Sequence, residues 1–250
     1  MAPLATPSMI SNLGERIFRA SLSDAIAASA LADAVRSAHT KVGILTEQNA
    51  YSEGFANDFR KRAGQIGLEV VSEDFQSGDT DLKGQLLRLQ SRAPDAIFIN
   101  TNTERTFTAI LKQMSVMQFV PTRYGAYMPG ASSFLAAAGA MAEGIIFVDL
   151  PKAEELLNEE GRKLYQEYLS MYGALQGWTF IFPAGFEAFR SIHQAITSGK
   201  PINEHLHSTE FSGIFGVYSF DKSGDIRGLR HSIRVIKGGQ NVPVETQARS

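Results

Sequence analysis

Between Lys41 and Asn100 the chain alternates short apolar runs with amphipathic stretches, and this alternation leaves few folds open. Val42-Gly43-Ile44-Leu45, Leu68-Glu69-Val70-Val71 and Ala96-Ile97-Phe98-Ile99 read as strands. Between the first two, Phe55, Phe59, Ala63 and Ile66 recur at helical spacing, with Asp58, Arg60, Lys61 and Arg62 among them and Gly67 as the stop. Between the second and third, the turn Gly78-Asp79-Thr80-Asp81 opens a helix marked by Leu82, Leu86, Leu87 and Leu89, and Pro94-Asp95 ends it. Strand, helix, strand, helix, strand is the pattern of a parallel sheet covered on both faces. Such sheets bind ligands in the crevice beyond the carboxyl ends of their strands. Two stretches fall there: a polar loop over 46–54 that carries Tyr51, and Asn100-Thr101-Asn102-Thr103.

The rest of the chain extends this unit. Residues 16–19 read as a short strand, and Ser21 and Ser23 are candidate caps for a helix over 24–38, since their hydroxyls can accept orphan backbone N–H groups. A helix over 104–117 turns Phe107, Ile110, Leu111 and Met114 inward. Strands follow over 122–125 and 144–148, with a small-residue helix over 132–138 between them. Pro151 marks a change of character. Residues 154–172 form a charged, exposed helix, and 178–197 an apolar one with Phe180, Phe182, Phe186, Phe189 and Ile192, in which Pro183 sits within the first turns or bends the helix. After a short helix over 202–206, the runs 216–220 and 232–236 flank Asp221-Lys222-Ser223-Gly224-Asp225 and read as a strand, a turn and a returning strand. The tail after Gly238 is expected to fray.

Composition removes several functions. A chain of 250 residues can bury a full core, as one large or two modest domains. Its net charge of -2 offers no basic field for nucleic acid. With no cysteine, disulfides, thiolate nucleophiles and cysteine metal sites are excluded. No apolar run reaches the length of a membrane span. The opening residues have neither the basic region nor the sustained apolar segment of a secretory signal.

Taken in order, the segments resemble the type I periplasmic binding proteins of the branched-chain amino acid (Leu/Ile/Val-binding) branch. Ile17-Phe18-Arg19 before Ser23-Asp24, KVGILTEQNAYSEG, FQSGDTDLKGQLLRLQSRAPDAIFI, AAGAMAEGIIFV and GVYSFDKSGDIRG each match a family segment, and together they span the whole chain. The resemblance implies an α/β fold of two lobes with parallel, Rossmann-like sheets. The second lobe would run over 21–149 with a returning strand at 231–237. The first would use 1–20 and 150–230, and would be incomplete, because family members begin with further strands that this chain lacks. The protein would be N-terminally truncated relative to them. The implied function is capture of a small polar ligand (an amino acid, amide or carboxylic acid) between two lobes, for handover to the membrane subunits of an ABC importer in the periplasm. No chemistry and no cofactor would be involved. A cytoplasmic ligand sensor of the same fold, signalling to a protein partner, is the alternative.

Site residues follow from the same resemblance. Tyr51 would contact the ligand. Ser8 and Met9 would lie in a carboxylate-binding loop, with Met9 where a Thr is usual. Asn102 and Thr103 would pack on the ligand. Tyr127 would stand where amino-acid binders place the Glu that holds the ligand ammonium, and a tyrosine supplies no charge at neutral pH. A plain α-amino acid is therefore not the expected ligand. Phe182 and Phe186 would close the first-lobe side or belong to the core. An incomplete first lobe would leave the aromatic stretch 178–197 partly uncovered and favour self-association.

Catalytic patterns are weak. His205 and His207 stand two apart in a helical segment with no third ligand evident. Ser198-Gly199-Lys200 lacks the remainder of a phosphate-binding loop. Glu47 and Glu53 read as exposed loop carboxylates.

Overall fold

The computed structural model describes residues 1–175 and 177–244, and the chain divides into two compact units. One unit comprises Ala25–Asp149 and Ser232 onward; the other comprises Met1–Asp24 and Leu150–His231.

The first of these is built on a seven-stranded sheet. Its elements are α1 (Asp24–Ala38), β1 (Lys41–Gln48), α2 (Ala50–Gln65), β2 (Glu69–Gln76), α3 (Lys83–Ser91), β3 (Ala96–Asn100), α4 (Glu104–Val116), β4 (Thr122–Gly125), α5 (Ser132–Ala138) and β5 (Ile146–Asp149). Two further strands, β9 (Ser232–Lys237) and β10 (Gln240–Pro243), complete an order of β10-β9-β5-β4-β3-β1-β2. β1 to β5 pair in parallel; β9 is antiparallel to β5, and β10 to β9. The central strand β3 is buried at every residue, as a strand covered on both faces must be. Alternation sends Ile97 and Ile99 to one face, into a core with Leu86, Phe107, Ile110 and Phe134 from α3, α4 and α5. Phe98 points the other way and packs on Phe55 and Phe59 of α2, with ring centroids 5.7 and 5.2 Å apart.

Several boundaries differ from the sequence reading. β2 runs on to Gln76 as an edge strand whose polar residues are matched by neighbouring arginines, Ser72 by Arg60 and Glu73 by Arg88 and Arg92, while Asp74 is exposed. α2 begins at Ala50, so Tyr51 lies in a helix and not in a loop; the Asn49 side chain caps it by accepting from the Ser52 amide at 2.9 Å. The stretch after Gly238 does not fray at once: β10 pairs with β9 through Pro243, and residues 245–250 lie outside the described residues.

The other unit holds α6 (Ala153–Leu156), α7 (Glu159–Tyr172), α8 (Ile181–Thr197), α9 (Ile202–Ser208) and the antiparallel strands β6 (Phe211–Gly213), β7 (Gly216–Phe220) and β8 (Ile226–Arg227). Residues 154–172 are therefore two helices. The break comes at Asn158, which caps α7 through the Gly161 amide at 2.9 Å. β8 is the strand that returns to β7, whereas 232–237 pairs with β5 in the large sheet. Pro183 is the third residue of α8, where its missing N–H costs no helical bond. Residues 16–19 make only isolated parallel bridges, from Arg19 to Ala2 and to Asp225.

The core of this unit joins Phe18, Tyr165, Leu206, Phe211, Ile214, Tyr218 and Phe220. One side of α8 buries Glu187, whose carboxylate accepts from the Ile214 amide (2.6 Å), the Tyr218 hydroxyl (2.8 Å) and Arg190 Nε (3.2 Å). Phe180 is enclosed and Phe182 and Phe186 pack partly on the core, but Phe189 is 75% and Ile196 61% exposed.

Candidate functional site

Parallel β1, β3 and β4 are neighbours, and each is followed at its carboxyl end by residues singled out in the sequence. After β1 comes the first turn of α2, with half-buried Tyr51. After β3 come Asn102 and Thr103, both exposed, where α4 begins. Thr103 is the cap of α4: its hydroxyl accepts from the Thr106 amide at 3.2 Å and donates to the Thr106 hydroxyl at 2.8 Å. After β4 comes Tyr127, 6% exposed, meeting Phe55 edge-on at 6.1 Å. Its ring thus extends the aromatic row formed by Phe55, Phe98 and Phe59. Gly130, in the same turn, has no room for a side chain, since a Cβ there would lie 2.5 Å from an Asp149 carboxylate oxygen.

Glu47 also belongs to this edge, and its reading as an exposed loop carboxylate is wrong. It is 2% exposed. Thr101 Oγ1 donates to it at 2.6 Å, the Asn102 amide at 2.8 Å and Ser77 Oγ at 2.5 Å. Burial pushes its pKa up, but the hydrogen bonds from Ser77, Thr101 and Asn102 outweigh this and leave it below the ordinary carboxylate value. Asn100 adds a second tie, donating from Nδ2 to the Ser52 carbonyl at 2.7 Å, entirely buried. Asn100 stands in a stretch the sequence singled out, but neither its tie to Ser52 nor the burial of Glu47 is visible in local pattern, because the partners lie far along the chain. Glu53, by contrast, is exposed.

Ser8 and Met9 belong to the other unit, on a 3-10 turn over Ser8–Asn12. Ser8 is half-buried and Met9 is 62% exposed. The loop is held from beneath by Arg19, whose Nη1 donates to the carbonyls of Ala5, Thr6 and Pro7 at 3.4, 2.9 and 2.9 Å. Arg19 also bonds Ser11 and pairs with Asp225. Asp225 ends a turn that only glycine permits: Gly224 has φ +75°, and a Cβ there would sit 1.9 Å from the Ile17 carbonyl oxygen.

Among the described residues no three His, Asp or Glu side chains cluster to hold an ion. His205 and His207 lie on α9, and His207 Nδ1 is 2.9 Å from the Asp221 carbonyl. Among the described residues no helix is long and apolar enough to cross a membrane.

The candidate residues of the large sheet thus lie along one carboxyl edge. The model of the periplasmic binding protein family matches residues 12–237, and the chain belongs to that family. The fold is that of the type I members. Against a leucine-binding protein of Thermotoga maritima the TM-score is 0.81 at 22% identity, covering 97% of this chain and 71% of that one. A solute-binding protein of R. palustris in complex with benzoate gives 0.77 at 19% identity, covering 97% and 69%. A substrate-binding protein of Desulfitobacterium hafniense in complex with Leu gives 0.76 at 20% identity, covering 97% and 72%. No curated protein sequence matches the chain.

Proposed function

We propose that this chain is the solute-binding component of an ABC importer, capturing a small carboxylic acid or amide in the periplasm and delivering it to the membrane subunits. The observation that carries this reading is the alignment of Tyr51, Asn102, Thr103 and Tyr127 along the carboxyl edge of β1, β3 and β4. It is supported by the family match and by a fold shared with proteins described as bound to Leu, to benzoate and to 3,4-dihydroxybenzoic acid. The amino ends of α2 and α4 open on that edge, and their partial positive charge favours an anionic group. Tyr127 cannot supply the charge an α-ammonium group needs. Within the other unit, Ser8 and Met9 are the proposed ligand contacts. Binding by burial and a few placed hydrogen bonds requires no catalytic group and no cofactor.

The test is a thermal shift of the protein with Leu, Ile and Val, and with benzoate, 3,4-dihydroxybenzoate and their amides. A ligand at a hundredfold excess over its dissociation constant adds about 2.7 kcal/mol, which for a chain of this length raises the midpoint by roughly 5–10 °C. A saturable shift with an acid or amide is expected. A micromolar response to Leu alone overturns the choice of ligand.

A further inference from the structure

Glu47 joins the ends of three neighbouring strands. It stands near the end of β1, which lies between β2 and β3. One carboxylate oxygen accepts from Ser77, just beyond β2; the other accepts from Thr101 and from the Asn102 amide, just beyond β3. The cost of enclosing a carboxylate is met here by three donors, one of them a backbone amide that no apolar side chain could satisfy. An apolar residue would hold a sheet together at less cost. What the carboxylate adds is a fixed place for the peptide that carries Asn102 and leads into Thr103. The Asn100 bond to the Ser52 carbonyl then fixes the same strand end to the first turn of α2, beside Tyr51.

We infer that Glu47 is a positioning residue, which sets Asn102 and Thr103 against Tyr51 and so fixes the spacing of the ligand-facing groups along this edge. The inference rests on the reading of that edge as the ligand face. It does not place Glu47 on the ligand, because its surface is enclosed and its acceptors are engaged.

The experiment compares the full chain with Glu47→Ala and Glu47→Gln by amide hydrogen exchange and by binding of Leu and benzoate. In Glu47→Ala, exchange at 50–53 and 100–104 should rise by about tenfold or more, while 42–45 and 96–99 keep their protection. Glu47→Gln should restore protection, since the amide oxygen can accept from Thr101 and Asn102 while the amide nitrogen donates to Ser77. Affinity for whichever probe the parent binds should fall by about tenfold or more in Glu47→Ala and stay within a few-fold in Glu47→Gln. Unchanged exchange at 100–104, or an equal rise throughout 41–149, overturns the inference. If Glu47→Ala does not fold, Thr101→Val decides, with faster exchange confined to 100–104 as the expected result and no local change as the refuting one. A parent that binds neither probe counts against those ligands, and the exchange result still decides the role of Glu47.

Discussion

Arg19 and Asp225, 206 residues apart in sequence, form an ion pair at 2.7 Å in which the arginine side chain is wholly enclosed. Ser11 donates to both oxygens of the same carboxylate, at 2.9 and 2.8 Å. The pair therefore couples the turn after β7 to the loop that carries Ser8 and Met9.

Removing either partner leaves a charge with much of its compensation gone. Asp225→Leu should destabilise the unit by about 3–5 kcal/mol, read from urea unfolding, because it strands the enclosed Arg19 charge; Arg19→Met should cost less, because Asp225 is partly exposed and keeps its bonds from Ser11. The double replacement should cost less than the sum of the two. Additive losses in the double-mutant cycle would show that the two residues act separately.

Tyr51→Ala should weaken binding of the cognate acid or amide by about tenfold or more while leaving the melting midpoint within a few degrees. The residue is half-buried in the first turn of α2, whereas Phe55 and Phe59 carry that helix's packing. Isothermal titration of both proteins checks this, and equal affinities would remove Tyr51 from the site.

Acid should act through Glu47. Its folded-state pKa lies below the ordinary value of 4.5, so the unfolded chain takes up a proton at higher pH than the folded one. The stability it contributes is full above that range and is lost as pH falls through and below it. Unfolding midpoints measured from pH 6 down to about pH 3 should fall less steeply in Glu47→Gln than in the parent. Parallel curves would mean that other carboxylates set the slope.

Phe189 and Ile196 stand seven residues apart on α8, on one side of the helix, both largely exposed. Covering apolar surface contributes about 25 cal/mol per Å², so this side should drive concentration-dependent association. Sedimentation velocity across a hundredfold range of concentration should show it, and Phe189→Glu with Ile196→Lys should abolish it. A parent that stays monomeric throughout refutes the prediction.

The sequence shows the fold most clearly where one period dominates. The helices over 24–38 and 132–138 have the bounds their pattern predicts, and the strands of the parallel sheet fall where apolar runs occur. It is less informative where polar residues serve a structural end. Ala50 to Gly54 looks like loop because a glycine and polar side chains fill a turn that Asn49 starts. The strand reading stopped at Val71 because Ser72 to Asp74 are polar, and the arginines that meet Ser72 and Glu73 lie elsewhere in the chain. The candidate edge was legible through Tyr51, Asn102, Thr103 and Tyr127. Glu47 was not, since its partners Ser77 and Thr101 are 30 and 54 residues away and only the register of β1 against β2 and β3 brings them near.

The chain leaves the large sheet after Asp149 and returns at Ser232, and these two residues face each other across the antiparallel pair of β5 and β9. Topologically, everything from 150 to 231 is the loop of a hairpin. A gene in which that stretch is replaced by an Asn-Gly turn would keep every strand of the seven-stranded sheet beside its present neighbours. The strand order of the large sheet is thus set without 150–231, whereas that segment's own core draws Phe18 and Arg19 from the amino end of the chain.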